Sequence, residues 1–118
     1  MITEAYHYVE KPAAPGAPLL FTFHGTGGNE QQFLGLAAEL LPQAHVISPR
    51  GDVSEHGALR FFKRTGEGVY DMADLATRTQ QMAGFMAANC ERLKPSKVVA
   101  LGYSNGANIL ASVMFSHA

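Results

Sequence analysis

Short apolar runs alternate along the chain with longer segments in which apolar residues recur every three or four positions. Leu19–Phe23, His45–Ser48 and Val98–Leu101 are short, nearly continuous apolar runs, typical of strands that are buried on both faces of a sheet. Segments with helical spacing follow each of them. This alternation of strands and helices predicts βαβ units, a mostly parallel sheet and an α/β fold.

Two long helical segments are delimited by the residues that flank them. The first is predicted to begin at Asn29, with Gln32 three residues later as in a capping box, and Pro42 stops it. The second is predicted over residues 71–93, and a final helix follows the last strand. The positions predicted to face the core are Phe33, Leu36, Ala37, Leu40 and Leu41, then Met72, Leu75, Thr79, Met82, Met86, Cys90 and Leu93, and lastly Ile109, Leu110, Val113 and Met114.

Two other segments lack helical periodicity. Tyr6–Val9 has aromatic and β-branched residues in short alternation and is predicted to be an edge strand. Residues 52–70 show neither strand nor helix periodicity, and they are predicted to form a long loop that contains Arg60–Arg64.

The composition fits one small domain with a buried core. The chain has 118 residues, 47% of them hydrophobic, and a formal net charge of −1 without blocks of like charge. This excludes a disordered chain and gives no indication of nucleic acid or a membrane as partner. The single cysteine, Cys90, forms no internal disulfide framework and is interpreted as a buried apolar residue. Without a secretory leader or an apolar run of about 20 residues, the expected location is cytoplasmic.

The segment Gly102–Gly106 reads G-x-S-x-G between a predicted strand and a predicted helix. A sharp turn at this point would expose the hydroxyl of Ser104 above the sheet, where a base can reach it. The same turn would point the backbone N–H of Asn105 to where an oxyanion forms. The alternative is an ordinary strand-to-helix turn with a capping serine. The strand, turn and helix order favours a nucleophile.

Three loops leave the carboxyl ends of the predicted parallel strands: His24–Gly28, Pro49–Arg64 and Gly102–Gly106. Ligands bind outside these ends in an open parallel sheet, so we expect the loops to share one crevice. In the first loop the N–H of Thr26 is the natural partner of the Asn105 N–H in an oxyanion hole.

The glycine-rich loop does not match a phosphate-binding motif. Gly25, Gly27 and Gly28 do not spell G-x-G-x-x-G, because Glu30 stands at the last position, and no G-K-[ST] follows. A dinucleotide site and a P-loop are therefore disfavoured.

None of the five histidines is a convincing catalytic base from its position. His24 adjoins the oxyanion loop, and with Gly25 it is predicted to support that loop by hydrogen bonds. His45 starts a strand and is interpreted as structural, and His7 and His117 lie near the termini. His56 could face the crevice, but a histidine in a polar loop is more often solvated, and geometry has to decide.

The stretch Arg60–Arg64 mixes cations with aromatic residues, and two interpretations stand side by side. In the first, Phe61 or Phe62 walls an acyl pocket and Arg60 orients a polar substrate group. In the second, the aromatic rings anchor a long loop to the core and the cations are solvated. Tyr103, next to the candidate nucleophile, is added to the predicted pocket.

Four motifs in order resemble the α/β-hydrolase superfamily. They lie at 20–30 (LFTFHGTGGNE), 48–51 (SPRG), 60–62 (RFF) and 102–106 (GYSNG). The carboxylesterase/phospholipase group, related to acyl-protein thioesterases and dienelactone hydrolases, is the most similar branch. The resemblance covers nearly the whole chain from Leu19 onward.

The resemblance implies a serine hydrolase of the carboxylesterase or thioesterase type, acting on small acyl esters through an acyl-enzyme. Ser104 would be the nucleophile, and Thr26 and Asn105 the oxyanion donors. The resemblance implies neither a metal ion nor an organic cofactor. The expected partner is a small-molecule ester.

The chain departs from the family pattern after the nucleophile. The superfamily order is Ser, then Asp or Glu, then His. Only fourteen residues follow Ser104; they contain no Asp or Glu, and their one histidine is His117. Residues 1–118 are therefore predicted to be the N-terminal portion of a single α/β-hydrolase domain without its C-terminal strands. The predicted strand Val98–Leu101 would then be a bare edge that invites pairing.

Two non-catalytic functions compete with the esterase. In one, the chain is a half-domain that forms a homodimer, or joins the missing C-terminal half, through the open sheet edge. In the other, it binds a small molecule in the crevice without turnover.

Overall fold

The computed structural model describes residues 6–66 and 69–116. In chain order the elements are β1 Tyr8–Lys11, β2 Leu19–Phe23, α1 Leu34–Leu40, β3 His45–Pro49, β4 Val53–Glu55, β5 Ala58–Arg60, β6 Arg64–Gly66, β7 Val69–Tyr70, α2 Met72–Leu93, β8 Val98–Gly102 and α3 Asn105–Ser116.

The main sheet has four strands in the order β1–β3–β2–β8. Strand β2 pairs in parallel with β3 and with β8, whereas β1 is antiparallel to β3. Both central strands, β2 and β3, are buried at every position, which explains their nearly continuous apolar runs. The predicted mostly parallel sheet is confirmed.

Helices cover both faces of the sheet. Successive residues of a strand point to opposite faces, so Leu19 and Phe21 join one core and Leu20 the other. The larger core lies under α2 and α3 and includes Phe85 and Ile109. The smaller core lies under α1. The packing of helices on both faces therefore fixes the sheet, and with it the three segments that follow β2, β3 and β8 at its carboxyl end.

The first helix is shorter than predicted. It begins at Leu34, with Phe33 as its N-cap and no side-chain cap. Asn29 instead accepts a hydrogen bond from the N–H of Gln31, and Gln32 accepts one from the N–H of Gly25. The expected capping box was wrong because Asn29 bonds locally to Gln31, whereas Gln32 bonds back to the glycine-rich loop.

The predicted loop over residues 52–70 was also wrong. It contains two antiparallel hairpins, β4–β5 and β6–β7. The first hairpin turns at His56 and Gly57, both with positive φ, so the reversal is a two-residue turn. The strands are only two or three residues long, too short for the alternation that predicts a strand.

Some apolar positions predicted to be buried are exposed. Leu36, Leu40, Met72 and Met114 all have a substantial solvent-exposed fraction, which an amphipathic pattern alone does not detect. The edge strand begins at Tyr8, two residues later than predicted, and Tyr6 is buried beside Phe85. No helix in the described ranges is long and apolar enough to cross a membrane.

Candidate active site

Ser104 occupies the sharp turn between β8 and α3. Its φ is 53°, a left-handed conformation that costs a non-glycine residue roughly 1–2 kcal/mol. Its side chain is exposed, and the helix starts at the next residue. The predicted strand, turn and helix order is therefore present, and the strain lies on the residue that carries the hydroxyl.

The two glycines of the motif are required by close backbone contacts. A β-carbon on Gly106 would overlap the carbonyl oxygens of Phe23 and His24 at the end of β2. A β-carbon on Gly102 would lie 2.9 Å from the Cα of Ala107. Without a side chain, Gly106 lets the turn press against the end of β2, and Gly102 lets the start of α3 fold back against the end of β8.

The glycine-rich loop lies beside this turn and is held by the chain around it. Gly27 donates its N–H to the carbonyl oxygen of Leu59 at 3.0 Å, and Arg60 Nη1 donates to Thr26 Oγ1 at 2.9 Å. The backbone N–H groups of Thr26 and Asn105 have no hydrogen-bond partner among the residues that the structure describes. Both donors are therefore available at the carboxyl end of the sheet.

His24 is buried and bonded on both ring nitrogens. Its Nε2 accepts from the N–H of Gly51 at 2.8 Å, so the ring proton lies on Nδ1, which donates to the carbonyl oxygen of Gly25 at 2.8 Å. Burial lowers the pKa of the ring, which favours this neutral form. His24 thus links the glycine-rich loop to the segment after β3.

A cleft of about 240 Å³ opens next to the serine. It receives residues from all three loops that leave the sheet: Thr26 from the first, Arg60 from the second, and Ser104 with Asn105 from the third. The predicted convergence of these loops is therefore present. The remaining residues that line it are Arg64, Tyr70 and Asn108.

Arg60 lines the cleft although its side chain is only 3% exposed. Its Nε donates to the carbonyl oxygen of Phe62 at 2.6 Å, and its guanidinium lies over the Phe62 ring at 5.5 Å from the ring centre. The interpretation of this cation as solvated is wrong for Arg60, since the loop folds over it.

The aromatic residues of the predicted pocket lie elsewhere. Phe61 and Phe62 are fully buried and neither lines the cleft; Phe61 packs against His24. Tyr103 is exposed and packs against Phe33 on the other side of the serine. Of the four predicted pocket residues, the structure brings only Arg60 to the cleft beside Ser104.

Neither a histidine nor a carboxylate lines the cleft among the described residues. His45 lies beside Glu10, at the opposite end of the sheet, and His7 beside Glu30. His56 is exposed at the turn between β4 and β5, and His117 lies outside the described residues. No group of three or more His, Cys, Asp or Glu residues suited to a metal ion occurs in the part of the chain that the structure describes.

Sequence reasoning missed three contributors to the site. Tyr70 and Asn108 line the cleft together, and Asn108 Nδ2 donates to the Tyr70 hydroxyl at 2.7 Å. Glu30 is buried and paired with Arg50 at 2.7 Å, a contact that joins the glycine-rich loop to the end of β3. Glu30 and Arg50 stand in the motifs at 20–30 and 48–51, whereas nothing in the sequence indicated that Tyr70 and Asn108 lie together.

Comparison with known proteins identifies relatives over almost the whole chain. A protein of Bacillus subtilis (strain 168) named "Putative hydrolase MhqD" is 45% identical over 113 residues, which are 94% of this chain and 56% of that protein. A crystal structure of a protein of unknown function from Agrobacterium tumefaciens str. C58 is 55% identical with a TM-score of 0.91, covering 97% of this chain and 56% of the other. The Bacillus cereus carboxylesterase is 41% identical with a TM-score of 0.88, covering 95% and 54%. No family model matches the chain.

The chain therefore spans about half the length of the relatives that it matches. The similarity to a carboxylesterase structure confirms the predicted fold class, a partial α/β-hydrolase fold with a mostly parallel sheet flanked by helices.

Proposed function

Because the chain has its place in the α/β-hydrolase superfamily, among relatives named as hydrolases and carboxylesterases, we propose that it provides the nucleophile of a serine esterase. The observation that carries this proposal is Ser104, exposed at a strained turn beside two unpaired backbone N–H groups. The substrates are small carboxylic or thiol esters.

The reaction proceeds through an acyl-enzyme. The Oγ of Ser104 attacks the carbonyl carbon of the ester while a base takes the hydroxyl proton. Negative charge then grows on the carbonyl oxygen, and the N–H groups of Thr26 and Asn105 stabilise it. The alcohol or thiol leaves as the intermediate collapses, and water later releases the acid by the same steps.

The base that deprotonates Ser104 has to come from outside the described residues, because no histidine lines the cleft. His24 does not take this role in the proposal. Both its ring nitrogens are engaged with backbone groups, and its protonation would place an N–H against the N–H of Gly51. Its part is to hold the loop that carries Thr26.

A fluorophosphonate probe tests the proposal, since it labels activated serines covalently. The protein as it occurs in its source organism is treated with the probe, and the modified residue is identified by mass spectrometry. We expect labelling of Ser104, loss of labelling in Ser104→Ala, and unchanged labelling in Ser96→Ala, an exposed serine remote from the cleft. Absence of labelling in the unmodified protein would refute the esterase.

Self-association through the sheet edge is a second candidate function. In the described part of the chain, β8 pairs only with β2, and Phe115 on the adjacent helix is 90% exposed. A second copy of the chain could pair with this edge. Sedimentation of the 118-residue chain over a range of concentrations tests it, and a monomer throughout would argue against pairing.

A further inference from the structure

Among the residues that the structure describes, the guanidinium of Arg60 is a charge that is almost fully buried. Its side chain is only 3% exposed, and its two hydrogen bonds go to neutral oxygens, those of Phe62 and Thr26. Its Nη2 has no hydrogen-bond partner among the described residues. Burying a cation in this way is costly unless an anion compensates it.

No carboxylate of the described residues makes a hydrogen bond to Arg60. The nearest is Glu55, with Oε2 at 4.0 Å from Nη1. That carboxylate is engaged with Arg64, which donates to both its oxygens at distances between 2.6 and 3.2 Å. The hydrogen bonds of Glu55 therefore go to Arg64, and Glu55 is left as a distant ion-pair partner of Arg60 without a hydrogen bond to it.

Other polar groups of the cleft are donors as well. The hydroxyl of Tyr70 accepts a bond from Asn108, which leaves its own proton free to donate. The side-chain nitrogen of Asn105 is buried without a hydrogen-bond partner. The lining thus combines a fixed cation with unsatisfied donors, and it holds no acidic group within the described part of the chain.

We propose that the cleft beside Ser104 binds the carboxylate of a short ester substrate, with Arg60 as its principal partner. A planar carboxylate matches the fork of a guanidinium better than a spherical anion does. The cleft of about 240 Å³ has room for a short acid-bearing chain beside Ser104. This inference rests on the proposed esterase function and narrows its substrates to esters that also carry an acid group.

Matched substrate pairs test the proposal in the protein as it occurs in its source organism. For an acid on the acyl side, mono-p-nitrophenyl glutarate is compared with p-nitrophenyl pentanoate. For an acid on the alcohol side, p-acetoxybenzoate is compared with p-tolyl acetate. We expect a higher kcat/KM for the acid-bearing member of at least one pair.

Two variants then test whether Arg60 causes the preference for the acid-bearing ester. Arg60→Gln is expected to lower the ratio of acid to neutral kcat/KM by about tenfold or more, because a hydrogen bond to a charged partner is lost. Arg92→Gln removes the same charge at the opposite end of the sheet, where Arg92 pairs with Glu10, and is expected to leave the ratio unchanged. The ratio cancels a general loss of activity in either variant.

A measurement on the unmodified protein covers the case in which Arg60→Gln does not fold. Succinate is expected to slow fluorophosphonate labelling of Ser104, and chloride, a spherical anion, at equal ionic strength to slow it much less. Equal protection by both anions, or by neither, contradicts the carboxylate site.

The outcomes separate the two proposals. If Ser104 is labelled and neutral esters are cleaved but no pair shows a preference for the acid, only the carboxylate site is refuted. A preference that survives in Arg60→Gln also refutes it. If Ser104 is never labelled, the esterase proposal fails and the substrate inference fails with it.

Discussion

The side-chain oxygen of Asn105 accepts a hydrogen bond of 2.6 Å from the backbone N–H of Phe61. The bond joins the first residue of α3 to the segment that carries Arg60, although the two partners are 44 residues apart in sequence. Asn105 is only 3% exposed, so water does not compete for this contact. The turn that presents Ser104 and the wall of the cleft are therefore fixed relative to each other.

Replacing Asn105 by alanine should lower the free energy of unfolding by about 1–3 kcal/mol, because the buried N–H of Phe61 loses its acceptor. Urea denaturation measures the change. Asn108→Ala is the matched control, since it removes the same side chain one turn later, where the partner is the exposed Tyr70 hydroxyl. It should cost less than about 0.5 kcal/mol. Equal losses in the two variants would contradict the assigned role of the buried bond.

Gly106→Ala should destabilise the fold by at least about 3 kcal/mol, because the added methyl group overlaps backbone atoms that cannot rotate away. Gly35→Ala is the control, since a β-carbon at that helical position meets nothing within 4 Å. It should stabilise the protein by up to about 1 kcal/mol. Thermal or urea unfolding of both variants decides, and a tolerated alanine at Gly106 would show that the turn is not as tight as described.

Ser104→Gly should be more stable than Ser104→Ala by about 1 kcal/mol, because glycine adopts the positive φ of this turn without strain. The same pair of variants at Ser96, which has no positive φ, should show no such advantage for glycine. Unfolding free energies of the four variants measure the difference. If alanine is as stable as glycine at position 104, the nucleophile turn stores no strain.

Stability should fall as the pH drops below about 6.5, the ordinary pKa of histidine. Burial lowers the pKa of His24 in the folded protein, so the unfolded chain takes up a proton first and is favoured. Above that pH, the stability that the neutral His24 contributes is fully present. His24→Gln should show a shallower dependence of unfolding free energy on pH between about 7.5 and 5.5. Identical slopes in both proteins would contradict a neutral, buried His24.

The sheet and the nucleophile turn could be predicted from the sequence because each follows from local composition. Fully buried strands leave continuous apolar runs, and the glycines at 102 and 106 are required by contacts that only a tight turn makes. The alternation of strands and helices then predicts that Thr26 and Ser104 lie at the same end of the sheet.

The rest of the fold and of the site depends on contacts between distant segments, which local composition does not encode. Asn29 and Gln32 looked like helix caps, yet Asn29 accepts from the N–H of Gln31, and Gln32 accepts from the N–H of Gly25 in the glycine-rich loop. Arg60 and Phe61 are neighbours in sequence at the end of the short hairpin β4–β5. The ring of Phe61 nevertheless packs in the core, whereas the guanidinium of Arg60 lines the cleft. The roles assigned to Ser104, Thr26 and Asn105 in catalysis stay predictions.

The pairing of Leu19 with Val98 has a consequence for folding kinetics. Strand β2 can complete its parallel pairing only when a segment 79 residues later in the chain has arrived and docked. Closing so long a loop costs conformational entropy before any contact rewards it, which is typical of slow-folding, non-local topologies. The residues that line the cleft come partly from the chain before β8, beginning with Thr26, and partly from the chain after it, ending with Asn108. Its assembly therefore belongs to a late step of folding, and any intermediate that lacks β8 has no site.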